Sequence, residues 1–201
     1  MNVNINLFRR PSMAVCAFLL CLLIMGSAKA QSKEESAAQS PMHMDMPGVI
    51  HKQMAKRAGE YTTRAKFKTQ PAAAPMESTG TASITVGFDG RFLVEENFGA
   101  VFGQPYRGMR VYGYSNGTKQ YEATWVYTGS TAILSLSGAS SDDGKTVTYT
   151  GSITGPSGAK ETLRVVVKQV DDDHFTVELY GNGGEGPMLE TTYTRKTAAG
   201  R

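Results

Sequence analysis

Cysteine is nearly missing from this 201-residue chain. There are two, Cys16 and Cys21, and both fall near its start. Nothing beyond residue 30 can form a disulfide or offer a thiol, which excludes cysteine chemistry from the rest of the chain. Long apolar runs are scarce too. One exists, the 13 residues from Met13 to Met25. It is short of the roughly 20 residues that a membrane-spanning helix needs. Arg9 and Arg10 precede it, and the small-residue stretch ending Ala28-Lys29-Ala30 follows it. That is the anatomy of a secretory signal peptide, with cleavage expected after Ala30 and a periplasmic or secreted product. The residues before each cysteine lack the small side chain that a lipidated cysteine requires, and no second apolar span follows.

An excess of one charge is also absent. Removing Arg9, Arg10 and Lys29 from the 21 basic residues leaves 18, equal to the 18 acidic ones. A nucleic-acid partner would call for a basic excess or stripe, and neither is present. Histidine is rare, at three: His43, His51 and His174. His174 follows Asp171-Asp172-Asp173, which reads as a solvated turn without a neighbouring nucleophile. Glu95 and Glu96 are adjacent, so on a strand they point to opposite faces and cannot flank one substrate bond. No catalytic constellation emerges, and the chain reads as a non-enzyme without a cofactor.

What the chain does have is short alternating runs separated by turn residues. Residues 31–47 are polar and aperiodic and read as a flexible tether. Ile50, Met54 and Ala58 recur at helical spacing, with Gly59 placed to stop a short helix. From Gly59 onward about ten strands follow, from GEYTTRAKFKT to PMLETTYTRK. Asp89-Gly90 and Asn116-Gly117 carry the chemistry of two-residue hairpin turns, and Asn116-Gly117-Thr118, which also matches a glycosylation acceptor, reads as turn chemistry. Tight turns between consecutive strands imply an antiparallel up-and-down meander. Ten strands left open would expose two edges, so the expected form is a closed all-β barrel over residues 48–197, with the helix across one end. A two-sheet sandwich is the alternative.

GRFLVEENFG, GYSNGTKQYEATWVYTGST, DDDHF and ETTYTRK, together with the upstream APMESTGTASI, resemble the bacterial family called domain of unknown function 1579. The likeness runs from about His51 to Lys196. That family opens with a histidine-bearing helix and then Gly-x-Trp; here His51 fits, while Gly59-Glu60-Tyr61 replaces the tryptophan. The family is similar to lipocalin-like barrels, so the resemblance implies that fold. It implies no activity.

A barrel of this size can enclose one small ligand. By period two, Tyr121, Ala123, Trp125 and Tyr127 share a face, as do Tyr112 and Tyr114. In RFLVEENF the aromatic frame is Phe92, Val94, Glu96 and Phe98. The expectation is a cavity for a small apolar molecule, lined by Trp125, Tyr127, Tyr112, Tyr114, Phe92 and Phe98, with Glu96 or a tyrosine hydroxyl as polar anchor. The same pattern also fits a packed core and a plain interaction module. A third reading comes from PMHMDMPGVIHKQM: His43, Met46, His51 and Met54 offer imidazole and thioether at spacings of three, a donor set suited to Cu(I) or Ag(I). The sequence leaves the oligomeric state open.

Overall fold

The computed structural model describes residues 46–68, 74–155, 158–184 and 186–197. The expected signal segment, most of the expected tether, and His43 lie outside them. A seven-residue helix, α1 (Val49–Ala55), precedes ten strands: β1 (Gly59–Phe67), β2 (Met76–Gly87), β3 (Phe92–Val101), β4 (Gln104–Ser115), β5 (Gln120–Tyr127), β6 (Leu134–Ser140), β7 (Thr146–Thr154), β8 (Lys160–Gln169), β9 (His174–Gly181) and β10 (Leu189–Arg195). Each strand pairs antiparallel with its neighbours in sequence, and β1 pairs with β10. The closed all-β barrel expected from the alternation is therefore the observed fold. Closure leaves no unpaired edge to template aggregation.

Side chains alternate as the period demands. On β5, Tyr121, Ala123 and Trp125 are buried while Glu122 and Thr124 are exposed. The turns depart from expectation. Ser115 and Gln120 are joined by four residues, and the left-handed residue is Lys119 (φ 57°) rather than Asn116 or Gly117. Asn116 instead uses its side-chain amide, donating to Met46 O at 3.0 Å. At Asp89-Gly90 the connection likewise has four residues, with Phe88 and Asp89 both left-handed.

α1 closes one end. It stops at Ala55, short of Ala58, and Arg57 and Ala58 continue in tight three-residue bonds to Met54 and Ala55 carbonyls. Arg195, at the end of β10, then takes over the freed carbonyls. Its Nη1 donates to Ala58 O at 2.7 Å and its Nη2 to Lys56 O at 2.9 Å. A cation on these carbonyls also suits the negative end of the helix dipole. The same guanidinium lies over the Tyr61 ring at 4.9 Å. Gly59 makes this passage possible: its φ is +153°, and a Cβ there would collide with Arg195 Nη1. Gly59-Glu60-Tyr61 thus sets the helix-to-strand corner, with Tyr61 fully buried beneath it.

The core fills the helix end first. Phe175 stacks on Tyr193 with ring centroids 4.1 Å apart, and Tyr61 meets Phe175 edge-on at 5.3 Å. Leu93, Val147, Tyr149 and Val167 complete this layer, and Met54 of α1 is buried with them.

Candidate functional site

The other end is open. There the barrel encloses a cavity of about 690 Å³, walled by Ala65, Phe67, Tyr106, Trp125, Tyr127, Leu179 and Leu189, with Thr63 and Thr191 adding hydroxyls. The aromatic wall is continuous: Trp125 lies 4.8 Å from Tyr127, and Tyr127 6.2 Å from Tyr106. Trp125 Nε1 donates to Tyr106 OH at 3.2 Å, so the indole nitrogen is satisfied and its ring is held against the wall. At the helix end a groove of about 580 Å³ is lined instead by Lys56, Arg57, Asp172, Asp173 and Arg195. It is a charged seam where α1 meets the strand ends.

The cavity has a polar floor built from three strands. Glu95 on β3 is fully buried, and its register partner on β4 is Arg110. Arg110 Nη1 donates to Glu95 Oε1 at 2.6 Å and to Tyr193 OH at 2.9 Å. Tyr193 OH donates to the same Oε1 at 2.7 Å, and Tyr112 OH to Oε2 at 3.0 Å. Asn97 Nδ2 adds a further donor to Oε1. Three of the four donors meet Oε1 and one meets Oε2, so Glu95 is the hub of the network while Oε2 keeps a further acceptor site.

The electrostatics agree with that network. Burial raises the Tyr193 and Tyr112 pKa values well above the ordinary tyrosine value, and the Glu95 charge raises them further. Both hydroxyls stay protonated and remain donors. Burial opposes the Arg110 charge, but the surrounding oxygens of Tyr193, Glu95 and Tyr112 more than offset it, so the guanidinium stays charged. That guanidinium also lies 4.4 Å over Trp125. Floor and wall are thus one unit, with one cation and one anion cancelling each other.

Of the residues expected at the cavity, Trp125, Tyr127, Tyr112 and Tyr114 point inward. Trp125 and Tyr127 line the open cavity, whereas Tyr112 lies in the floor and Tyr114 packs near α1, against Tyr121 and His51. The expected frame of β3 is wrong by one residue. Leu93, Glu95 and Asn97 face inward, and Phe92 and Glu96 face outward; Phe98 shares their outward frame but also borders the mouth of the cavity. Phe98 is 45 % exposed beneath the Arg107 guanidinium, which also pairs with Glu96 at 3.0 Å. Phe92 packs edge-on against Phe88. The outer face is held by these aromatic and ionic contacts, so aromatic content did not mark the inside. The signal for the correct frame was Arg110: it shares the Tyr112–Tyr114 face and needs a carboxylate opposite it. Tyr106, Asn97 and Tyr193 were missed with Glu95.

The methionine–histidine stretch divides. His51, a candidate metal ligand, is buried; its Nδ1 accepts from Gly48 N–H at 3.1 Å, and its ring meets Tyr114 edge-on. Met54 is buried in the core. Met46 is exposed, and its sulfur accepts from Arg91 Nη2 at 3.6 Å, a cationic neighbour that opposes metal binding there. His174, the first residue of β9, is paired with Asp171 at 2.7 Å beside the exposed turn, and it is absent from the residues lining the cavity.

The chain belongs to the family described as "Protein of unknown function (DUF1579)", which matches residues 46–195. No curated protein matches it in sequence. Among solved structures it is similar to Rv2717c from M. tuberculosis, at 13 % identity and a TM-score of 0.52, over 76 % of this chain and 100 % of that one. That likeness is one of fold. A redesigned β-barrel aligns over 71 % of this chain and 93 % of its own, at 13 % identity and a TM-score of 0.37.

Proposed function

We propose that this DUF1579 protein is an exported, non-catalytic carrier that holds a small, largely apolar molecule in the open half of its barrel. The observation that supports this best is the split interior: one half is packed and closed by α1, while the other keeps about 690 Å³ behind an aromatic wall. A barrel serving only as a packed module has no use for that volume, since side chains in such cores normally fill the space. Ligand pockets are mostly apolar with a few placed polar groups, which is the pattern of this wall and floor. Export is supported by the Arg9–Ala30 leader anatomy and by the lack of thiols beyond it. Against catalysis stands the tie of Glu95 to the Arg110 guanidinium and to three further donors, which hold it as a structural anion.

The test uses the neutral dye N-phenyl-1-naphthylamine and the exported protein. The dye should bind with enhanced emission and quench Trp125, the only tryptophan of the chain. Trp125→Ala, with an unchanged circular dichroism spectrum, should weaken binding about tenfold or more, consistent with losing one aromatic contact and its buried area. Native mass spectrometry of protein taken from its own compartment should retain an organic mass. Absence of any dye response, or equal affinity in the folded Trp125→Ala protein, overturns the proposal.

A further inference from the structure

Among the described residues, two buried side-chain polar atoms take no hydrogen bond: Tyr149 OH, in the packed half, and Asn97 Oδ1, at the cavity. Asn97 is only 6 % exposed. Its amide orientation is fixed by chemistry. Nδ2 must face the Glu95 carboxylate, because Oδ1 turned that way would set acceptor against acceptor. Oδ1 is thereby aimed away from Glu95, and a buried acceptor left unpaired is unfavourable.

The neighbouring residue brings a second polar group close. Gly108 lies beside Asn97 in register, and a Cβ there would clash with both Asn97 Oδ1, at 2.6 Å, and Tyr106 OH, nearer still, so the two oxygens lie within about 5 Å of each other and only glycine leaves them in place. Tyr106 OH already accepts from Trp125 Nε1 and keeps its own proton to give. An acceptor and a donor that both line the cavity therefore stand close together at the base of the aromatic wall. The charges beneath it cancel, with Arg110 and Glu95 paired at 2.6 Å. A carboxylate entering here would add a second, uncompensated anion to a dry site, which is costly.

We propose that the ligand of this cavity carries a neutral hydroxyl, as an alcohol or phenol, at its leading end, where it donates to Asn97 Oδ1 and accepts from Tyr106 OH. This inference rests on the carrier reading and narrows its ligand class.

Three probes of matched chain length separate the alternatives at pH 7.5: 1-decanol, decyl methyl ether and decanoate. Binding to the exported protein is read by calorimetry and by Trp125 emission. Decanol should bind at least tenfold more tightly than either other probe, although the ether is the more apolar molecule. Asn97→Leu should bring decanol and ether within threefold of each other, and Tyr106→Phe should lose part of the preference. Ether or decanoate binding as well as decanol overturns the hydroxyl inference while leaving the carrier reading standing. So does a folded Asn97→Leu protein that still prefers the alcohol. If no probe binds, both readings fall. The wild-type order alone decides the matter if Asn97→Leu does not fold.

Discussion

The two halves of this barrel are made of the same strands and the same residue types, yet they do different things with them. Toward α1, aromatic rings meet one another: Phe175 on Tyr193, Tyr61 on Phe175. Toward the mouth, Tyr106, Trp125 and Tyr127 line up along a wall and face open volume. The Glu95–Arg110–Tyr193–Tyr112 network is the boundary. An aromatic ring stabilises a fold when both its faces are covered, and it offers a binding surface when one is not. Whether a barrel is filled or hollow is therefore settled layer by layer.

The largest expected effect breaks the comparison directly. Phe175→Ala removes a ring covered on both sides and should cost about 4 kcal/mol. Tyr127→Ala removes a half-buried ring at the cavity and should cost about 1 kcal/mol. Urea unfolding of both variants checks this. Equal losses would mean that the open half is as tightly filled as the closed one.

The ten strands and the closure of the barrel were legible in sequence because period two and short connections leave few other topologies. The pattern also placed Trp125, Tyr127, Tyr112 and Tyr114 on the inner face. It failed on β3, where Phe92-Val94-Glu96-Phe98 looks more like a core face than Leu93-Glu95-Asn97. Hydrophobicity ranks single residues, and Glu95 is tolerated inside only because Arg110 stands opposite it. That information lies in the register between two strands. The burial of His51 was illegible for a similar reason, since it depends on Tyr114, more than sixty residues away. The division into filled and hollow halves depends on how ring sizes add up around ten strands, which no single alternating run carries.

A second test uses alkaline pH. Tyr149 is completely buried, and burial pushes its pKa up to about 12 from an ordinary 10.0, with the nearby Arg57 charge acting in the opposite direction. Below pH 10 the hydroxyl is protonated whether the chain is folded or not, and its full contribution is present. Between pH 10 and 12 the unfolded chain releases this proton and the folded one holds it, so stability falls as pH rises. Two pKa units correspond to about 3 kcal/mol. Tyr112 and Tyr193, raised in the same direction, deepen the loss. Tyr149→Phe should flatten part of the decline and change stability at pH 8 by no more than about 1 kcal/mol, because the hydroxyl it removes makes no well-formed hydrogen bond and has only the Arg57 guanidinium near it. Parallel pH profiles for wild type and variant would show that water reaches Tyr149 and that the lower half is not dry.

The smallest effect lies at the mouth. The turn between β3 and β4 is Phe102-Gly103, and Phe102 adopts φ 52° while 60 % exposed. A bulky residue in the left-handed region is strained, and Asn-Gly is the pair that such a turn favours. Phe102→Asn should therefore stabilise the fold by about 0.5 to 1 kcal/mol in urea unfolding. The Phe102 ring also lies 5.8 Å from Phe67, at the cavity rim. Losing it should weaken dye binding two- to threefold. Stability gained and affinity lost by one substitution would place the strain in the half that binds. A gain in stability with affinity unchanged would confine the binding surface to the wall below the rim, around Tyr106, Trp125 and Tyr127.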